Sequence, residues 1–122
     1  LYDPNGASFS SGPSMTAARK YATSTLLSDG RVLIAGGTDS GAYLASSEIY
    51  NPETNSFSAG PTMTSARGQM TATRVASGKV LIPGGIGTGS TYLSSAELFT
   101  PAPVTPTAVP QTLVNCSRRL RR

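Results

Sequence analysis

Residues 31–37 read Arg31-Val-Leu-Ile-Ala-Gly-Gly37, and residues 79–85 repeat this stretch as Lys79-Val-Leu-Ile-Pro-Gly-Gly85. Four consecutive apolar residues before a glycine pair are typical of a short strand that is buried on both faces and ends in a close or positive-φ turn. Because the stretch occurs twice, it predicts a repeated structural unit and not an active site. A phosphate-binding loop would need a following Lys and Ser or Thr, which are absent here. We therefore interpret as structural the residues Gly36, Gly37, Gly84 and Gly85.

The repeat has a spacing of 48 residues up to the glycine pairs, as Phe9 and Phe57 or Arg19 and Arg67 show. After the glycines the spacing is 49, because Tyr43-Leu-Ala-Ser-Ser-Glu-Ile-Tyr50 matches Tyr92-Leu-Ser-Ser-Ala-Glu-Leu-Phe99. The additional residue must therefore lie in a loop. A period in this range is expected of solenoids and propellers.

The order of residues within each copy resembles the kelch repeat of β-propeller proteins. The order is Gly-Gly, a variable loop, Glu-x-Tyr-x-Pro, an aromatic residue and then Gly-Pro-x-Met-Thr-x-x-Arg, and these elements recur over residues 1 to about 101. The aromatic residue is usually Trp in the family and is Phe here, at Phe9 and Phe57. The resemblance extends to bacterial kelch repeat-containing proteins and to the central propeller of the galactose oxidases. It implies an all-β fold of kelch-type β-propeller blades, each a four-stranded antiparallel meander.

The resemblance divides the chain into one complete blade and parts of two others, so we expect an incomplete propeller and a fragment of a longer protein. The predicted units are the end of a preceding blade at 1–12, a complete blade at 13–60, a second blade without its last strand at 61–101, and a Pro/Thr-rich disordered linker with a basic end at 102–122. Predicted strands are 21–27, 31–35, 44–50 and 56–59 in the complete blade, and 69–75, 79–83 and 93–99 in the second. Because two blades leave apolar faces uncovered, we expect poor folding, aggregation or self-association unless the remaining blades of a larger chain are present.

Charge gives little indication of a partner. All of the net charge of +4 comes from Arg118, Arg119, Arg121 and Arg122, because residues 1–101 contain six basic and six acidic side chains. A basic end without a basic stripe on the folded part does not predict nucleic acid binding. No apolar run is long enough to predict a membrane span. The lone Cys116 predicts no intrachain disulfide.

The residue types argue against chemistry within the chain. There is no His, which removes the commonest general base and the usual zinc and copper ligands, so we expect no catalytic residue, no metal site and no cofactor. Glu48 and Glu97 occupy equivalent positions, and we expect each to bind backbone or to pair with an Arg of the adjoining repeat. Arg19 and Arg67 could either bridge to a neighbouring blade or reach a ligand. Structural roles in the repeat are also assigned to Tyr50, Phe99, Phe9 and Phe57.

The loops after the second and fourth strands of a meander emerge on the same side and differ between the copies, as expected where a constant scaffold carries a variable site. The candidate binding residues there are Arg19, Lys20, Asp39, Tyr43, Arg67, Gln69 and Tyr92. The alternative interpretation is that the two tyrosines pack under their own loops.

Three functions remain open on this sequence. The first is a non-enzymatic, secreted or surface-exposed bacterial propeller segment that binds protein or carbohydrate. The second is the scaffold of a galactose oxidase-like carbohydrate oxidase whose catalytic residues lie elsewhere. The third is a structural repeat of an adhesin-like protein.

Overall fold

The computed structural model describes residues 1–102, and it is all-β. The predicted linker and basic end, with Cys116, lie outside the described residues except for Ala102. No helix within the described part is long and apolar enough to cross a membrane. The strands are β1 (Tyr2–Asp3), β2 (Ser8–Phe9), β3 (Thr23–Leu26), β4 (Val32–Ala35), β5 (Thr38–Asp39), β6 (Ala42–Tyr43), β7 (Ser47–Asn51), β8 (Ser56–Ala59), β9 (Thr73–Arg74), β10 (Val80–Pro83), β11 (Ile86–Gly87), β12 (Thr91–Tyr92) and β13 (Ala96–Phe99).

The first repeat, residues 13–60, contains one four-stranded antiparallel sheet in the order β3-β4-β7-β8. The apolar stretch 32–35 is its β4 and pairs with β3 on one side and β7 on the other. Residues 27–31 join β3 to β4, and there Gly30 takes a φ of +91° and the Leu27 N–H donates to the Arg31 carbonyl over 2.7 Å. The strand order is that of a meander, as each strand pairs with the next long strand in the chain.

The second repeat, residues 61–101, contains a three-stranded sheet in the order β13-β10-β9. The outer edge of β13 has no fourth strand among the described residues, whereas the equivalent β7 pairs with β8. The first strands begin later than predicted, at Thr23 and Thr73 and not at 21 and 69. The reason is that Tyr21 and Gln69 adopt positive φ values of +59° and +53°, which interrupt an extended backbone.

The variable loops between the second and third strands form small hairpins. In the first repeat β5 pairs with β6, and in the second repeat β11 pairs with β12. The second hairpin is closed by a short 3-10 turn at Thr88–Ser90, which accommodates the additional residue.

The hydrophobic core lies between the two sheets. Leu33, Ala35 and Ile49 of the first sheet are buried with Val80 and Ile82 of the second. Alternate residues of β4 and β10 point to opposite faces, so each strand contributes only half of its side chains to this layer. The core is therefore an interface between two repeats.

Equivalent residues differ in burial according to whether a repeat packs on them. Leu33 is 2% exposed, whereas its equivalent Leu81 is 38% exposed. Ile49 is 9% exposed, whereas Leu98 is 54% exposed. β4 also has only one fully buried face, since Val32 and Ile34 are half-buried. The prediction that the second strand of each copy is buried on both faces is therefore wrong for both strands, and most clearly for β10. Its outer face is open because no further repeat covers it within residues 1–102.

Candidate binding face

The segment before each first strand pairs with the hairpin that follows the second strand. In the first repeat the Lys20 N–H donates to the Thr38 carbonyl over 2.9 Å, and the Thr38 N–H donates back over 2.7 Å. Thr38 in turn pairs with Tyr43 across the hairpin. The second repeat forms the same arrangement with Gly68 and Ile86, whose backbones exchange two bonds of 2.9 Å.

Backbone hydrogen bonds also join the two repeats at this side of the molecule. The Gln69 N–H donates to the Tyr21 carbonyl over 3.0 Å, and the Gly37 N–H donates to the Arg67 carbonyl over 2.9 Å. The segments that carry most of the predicted binding residues are thus linked through a continuous set of backbone contacts. We call the exposed surface of these segments the loop face, defined by Lys20, Tyr21, Asp39, Tyr43, Gln69 and Tyr92.

The side chains of the loop face differ in exposure. Tyr92 is 88% exposed and Tyr21 is 56% exposed. The Lys20 ammonium lies 5.4 Å from the centre of the Tyr21 ring, a distance at which a cation and an aromatic face attract each other. Tyr43, in contrast, is half-buried and lies against Gly68 of the second repeat. The two equivalent tyrosines therefore occupy different environments, one packed and one free to contact a ligand.

Arg19 does not belong to this surface, and its prediction as a binding residue is corrected. Its side chain is 1% exposed, and its Nη2 donates to Glu48 Oε2 over 2.9 Å. Its Nη1 donates to the carbonyls of Gly36 and Ser46. All of these acceptors lie in the first repeat, so the side chain connects β7 and the Gly36-Gly37 turn to the segment that precedes β3. We expected each Glu to pair with an Arg of the adjoining repeat, but Glu48 pairs with Arg19 of its own repeat.

Arg67 forms the same contacts in the second repeat and is likewise unavailable to a ligand. Its side chain is completely buried, and its Nη1 donates to Gly84 O over 2.7 Å and to Ser95 O over 2.9 Å. Its Nη2 lies 3.2 Å from Glu97 Oε2. A guanidinium suits this position because its planar donors reach several acceptors at once.

The two glutamates also accept backbone hydrogen bonds. Glu48 accepts the N–H groups of Thr16 and Ala17 over 2.8 and 3.3 Å. Burial by itself would raise the pKa of Glu48, but the bonds donated by Thr16, Arg19 and Ala17 outweigh burial and lower the pKa below its ordinary value. The same balance, with Thr64 and Ser65 as donors, lowers the pKa of Glu97. Both carboxylates are therefore held ionised in structural networks and are not poised as a general acid.

Two residues of the loop face have a strained backbone. Tyr21 and Gln69 are equivalent in the repeat, and both lie in the left-handed region although neither residue type favours it. Such strain is concentrated at binding sites and at turns that the surrounding structure fixes. Sequence reasoning placed Tyr21 in the first strand and missed it as a surface residue, because nothing in a Tyr or Gln side chain signals positive φ.

The glycine pairs allow the backbones of the loop face to approach each other. Gly37 has a φ of +94°, and a Cβ there would lie 2.6 Å from the Lys20 carbonyl oxygen. Gly85 has a φ of +96°, and a Cβ there would lie 2.8 Å from the Gly68 carbonyl oxygen. Both glycines combine a left-handed conformation with a close backbone contact, which no larger residue can reproduce.

Among residues 1–102, no group of three His, Cys, Asp or Glu side chains could hold a metal ion. The family model described as the Kelch motif matches residues 19–64. This match begins at the buried Arg19, spans the four-stranded sheet of the first repeat, and supports a kelch-type repeat. No match was found among curated proteins.

Proposed function

We propose that this chain is a non-catalytic kelch-type propeller segment that binds a protein partner through the loop face. Kelch motifs generally belong to propeller repeats that bind proteins, and residues 19–64 carry that motif. The observation that carries the proposal is the placement of exposed Tyr21 and Tyr92 on a backbone fixed by hydrogen bonds between hairpins and repeats.

The chemistry of the loop face suits an interface. Tyrosine provides a large, rigid contact area together with a hydroxyl, and it is enriched among the residues that contribute most to protein binding. Lys20 lies beside the first hairpin and Asp39 lies within it, so the face has charges of both signs. Because tyrosine also stacks on sugar rings, a glycan is the second ligand class that the experiment must test. The resemblance to secreted bacterial proteins suggests that the encounter takes place at or outside a cell surface.

The proposal is tested with the purified chain against a random peptide library displayed on phage and against a glycan array. Peptides selected by the chain should lose at least about tenfold in affinity with Tyr92→Ala, which corresponds to about 1.4 kcal/mol. Phe9→Ala is the matched control, because Phe9 is 83% exposed but lies on the terminal hairpin. If the chain binds a glycan and Tyr92→Ala weakens that binding, the ligand of the loop face is a carbohydrate and not a protein. Selected ligands that bind both variants equally would refute the loop face as the site.

A further inference from the structure

The packing between the two repeats defines a specific pair of complementary faces. The trailing face of a repeat is the side of its sheet that packs on the next repeat, and the leading face packs on the previous one. In the first repeat the trailing face carries Leu33, Ala35 and Ile49, and these residues are buried against Val80 and Ile82 of the leading face that follows.

Backbone hydrogen bonds fix the register of this interface. The second repeat donates three bonds to the first and accepts one from it. They are Met63 N–H to Ala45 O at 2.8 Å, Arg67 N–H to Leu44 O at 3.1 Å, Gln69 N–H to Tyr21 O at 3.0 Å, and Gly37 N–H to Arg67 O at 2.9 Å. The interface thus combines an apolar layer with directional contacts.

Within the part of the chain that the structure describes, one copy of each face is left open. The open trailing face carries Leu81, which is 38% exposed, and Leu98, which is 54% exposed. The open leading face carries Val32 and Ile34, which are only half-buried although their equivalents Val80 and Ile82 are buried. The two open faces have the same residue pattern as the two faces that meet inside the chain.

The backbone groups that would fix a second interface are unpaired at both ends. Within residues 1–102 none of them takes part in a backbone-to-backbone hydrogen bond. The groups on the leading side are the N–H groups of Met15, Arg19 and Tyr21 and the carbonyl of Arg19. Their counterparts on the trailing side are the carbonyls of Ser94, Leu93 and Gln69 and the N–H of Gly85.

We propose that copies of this chain assemble head to tail, with the open trailing face of one copy packed on the open leading face of the next. The partner is a second copy of this chain because its leading face has Val32, Ile34 and Met15 where the internal leading face has Val80, Ile82 and Met63. The flanking positions are less alike, since Ala22, Ser24 and Tyr50 replace Met70, Ala72 and Phe99. The contact is heterologous, since the two faces differ, and such contacts close into rings when the rotation permits. Propellers close with about four to eight blades, so we expect rings of about two to four copies.

The terminal hairpin must open for this contact to form. β1 and β2 pair as Tyr2 with Phe9 and Asp3 with Ser8, which matches the pairing of Tyr50 with Phe57 and Asn51 with Ser56 at the ends of β7 and β8. In the assembly β1 would therefore overlap the end of β13 of the neighbouring copy. β2 would instead add to the open edge of that β13 as the missing fourth strand, with Ser8 opposite Thr100 and Phe9 opposite Phe99. Residues 1–10 are all exposed, so little packing opposes the exchange.

The first test is the mass of the purified chain in solution, measured by light scattering on a sizing column. We expect a discrete species of about two to four times the 12.5 kDa of one chain. Leu98→Glu should reduce it to a single chain, because a carboxylate cannot be buried unpaired in the contact. Thr54→Glu, in an exposed turn away from both faces, is the matched control and should leave the mass unchanged. Circular dichroism of each variant checks that it retains its strands.

A monomeric wild-type chain, or a larger mass that Leu98→Glu leaves unchanged, would overturn the proposal. If the wild-type chain gives a series of increasing masses and Leu98→Glu abolishes them, the head-to-tail contact is supported but the closed ring is refuted. The outcome does not depend on ligand binding by the loop face, because neither substitution lies there.

The second test is a disulfide between copies. In a Cys116→Ser background, Ser8→Cys and Thr100→Cys place two thiols opposite each other across the proposed strand pair, within the Cα separation that a disulfide requires. Oxidation should cross-link the double variant readily on a non-reducing gel, whereas each single cysteine variant, which has no thiol opposite its own in the proposed strand pair, should remain largely uncross-linked. Disulfide-linked dimers formed to the same extent by either single variant, or no cross-linked species from the double variant, would contradict the strand exchange.

Discussion

Replacing Arg67 by Ala should destabilise the protein more than the loss of any surface ion pair. The Arg67 side chain is completely buried and makes hydrogen bonds to Gly84 O, Ser95 O, Ser95 Oγ and Glu97 Oε2 over 2.7 to 3.2 Å. Removing one partner of a buried ion pair leaves the other charge uncompensated and costs about 3–5 kcal/mol. This is a large part of the roughly 5–15 kcal/mol by which a folded domain is stable.

The matched control is Arg31→Ala. Arg31 also forms a short ion pair, 2.7 Å from Asp29, but its side chain is 20% exposed and the pair lies at the surface. An exposed pair of this kind contributes about 0–1 kcal/mol, because water solvates both charges when the pair is broken. Arg67→Lys keeps the charge but supplies only a point donor, so we expect a loss between those of the two alanine variants.

The assay is urea unfolding followed by far-UV circular dichroism and tyrosine fluorescence, since the chain contains no Trp. With a slope of about 1–3 kcal/mol/M, a loss of about 4 kcal/mol lowers the midpoint by about 1–4 M. If Arg67→Ala fails to fold, Arg67→Lys supplies the measurable midpoint. Equal losses of stability for Arg31→Ala and either Arg67 variant would refute the reasoning that burial makes this arginine structural.

Three further predictions concern the ionisation of Glu48 and two pairs of equivalent residues. The equivalent residues are compared at protein concentrations low enough for the chain to be monomeric. The pKa of Glu48 is lower in the folded protein than its ordinary value of 4.5, so ionised Glu48 stabilises the fold above that pH and this contribution is lost as the pH falls below it. The urea midpoint should therefore decrease below that pH, and Glu48→Gln should make the decrease smaller. Gly36→Ala should destabilise more than Gly84→Ala by at least about 1 kcal/mol, since both have a φ of +65° but only at Gly36 would a Cβ overlap a carbonyl oxygen of the neighbouring repeat. Leu33→Ala should reduce the free energy of unfolding by about 2–5 kcal/mol and Leu81→Ala by less than about 1 kcal/mol, because only the first side chain fills the core; equal losses in either comparison would show that the two repeats are not packed as described.

If copies assemble as proposed, the last two comparisons change with concentration. Gly84 and Leu81 would then contact the leading face of a neighbour, and their substitutions would reduce the mass of the assembly. Measuring the same variants at low and high concentration separates stability within one chain from contacts between chains. A concentration dependence confined to Gly84 and Leu81, and absent for Gly36 and Leu33, is expected.

The loop face could be predicted only in part from the sequence. Lys20, Gln69 and Tyr92 could be identified because variable loops between constant strands indicate a surface. Arg19 and Arg67 are of a residue type common in binding sites, and only the contacts of their guanidinium groups show that both are buried. Tyr21 was assigned to a strand because its residue type does not signal a positive φ, and Gln69 adopts the same conformation although its carbonyl accepts no backbone hydrogen bond within residues 1–102.

The sequence by itself determined the repeat, the all-β class and the position of the central strands, because periodic apolar residues and glycine pairs act locally and recur at a fixed spacing. The tertiary structure alone decided which face of each strand is covered. Val-Leu-Ile occurs identically in β4 and β10, yet Leu33 is 2% exposed and Leu81 is 38% exposed. The physical reason is that burial in a stack of repeats depends on the neighbour, and identical residues differ in environment when only one of them has a neighbour.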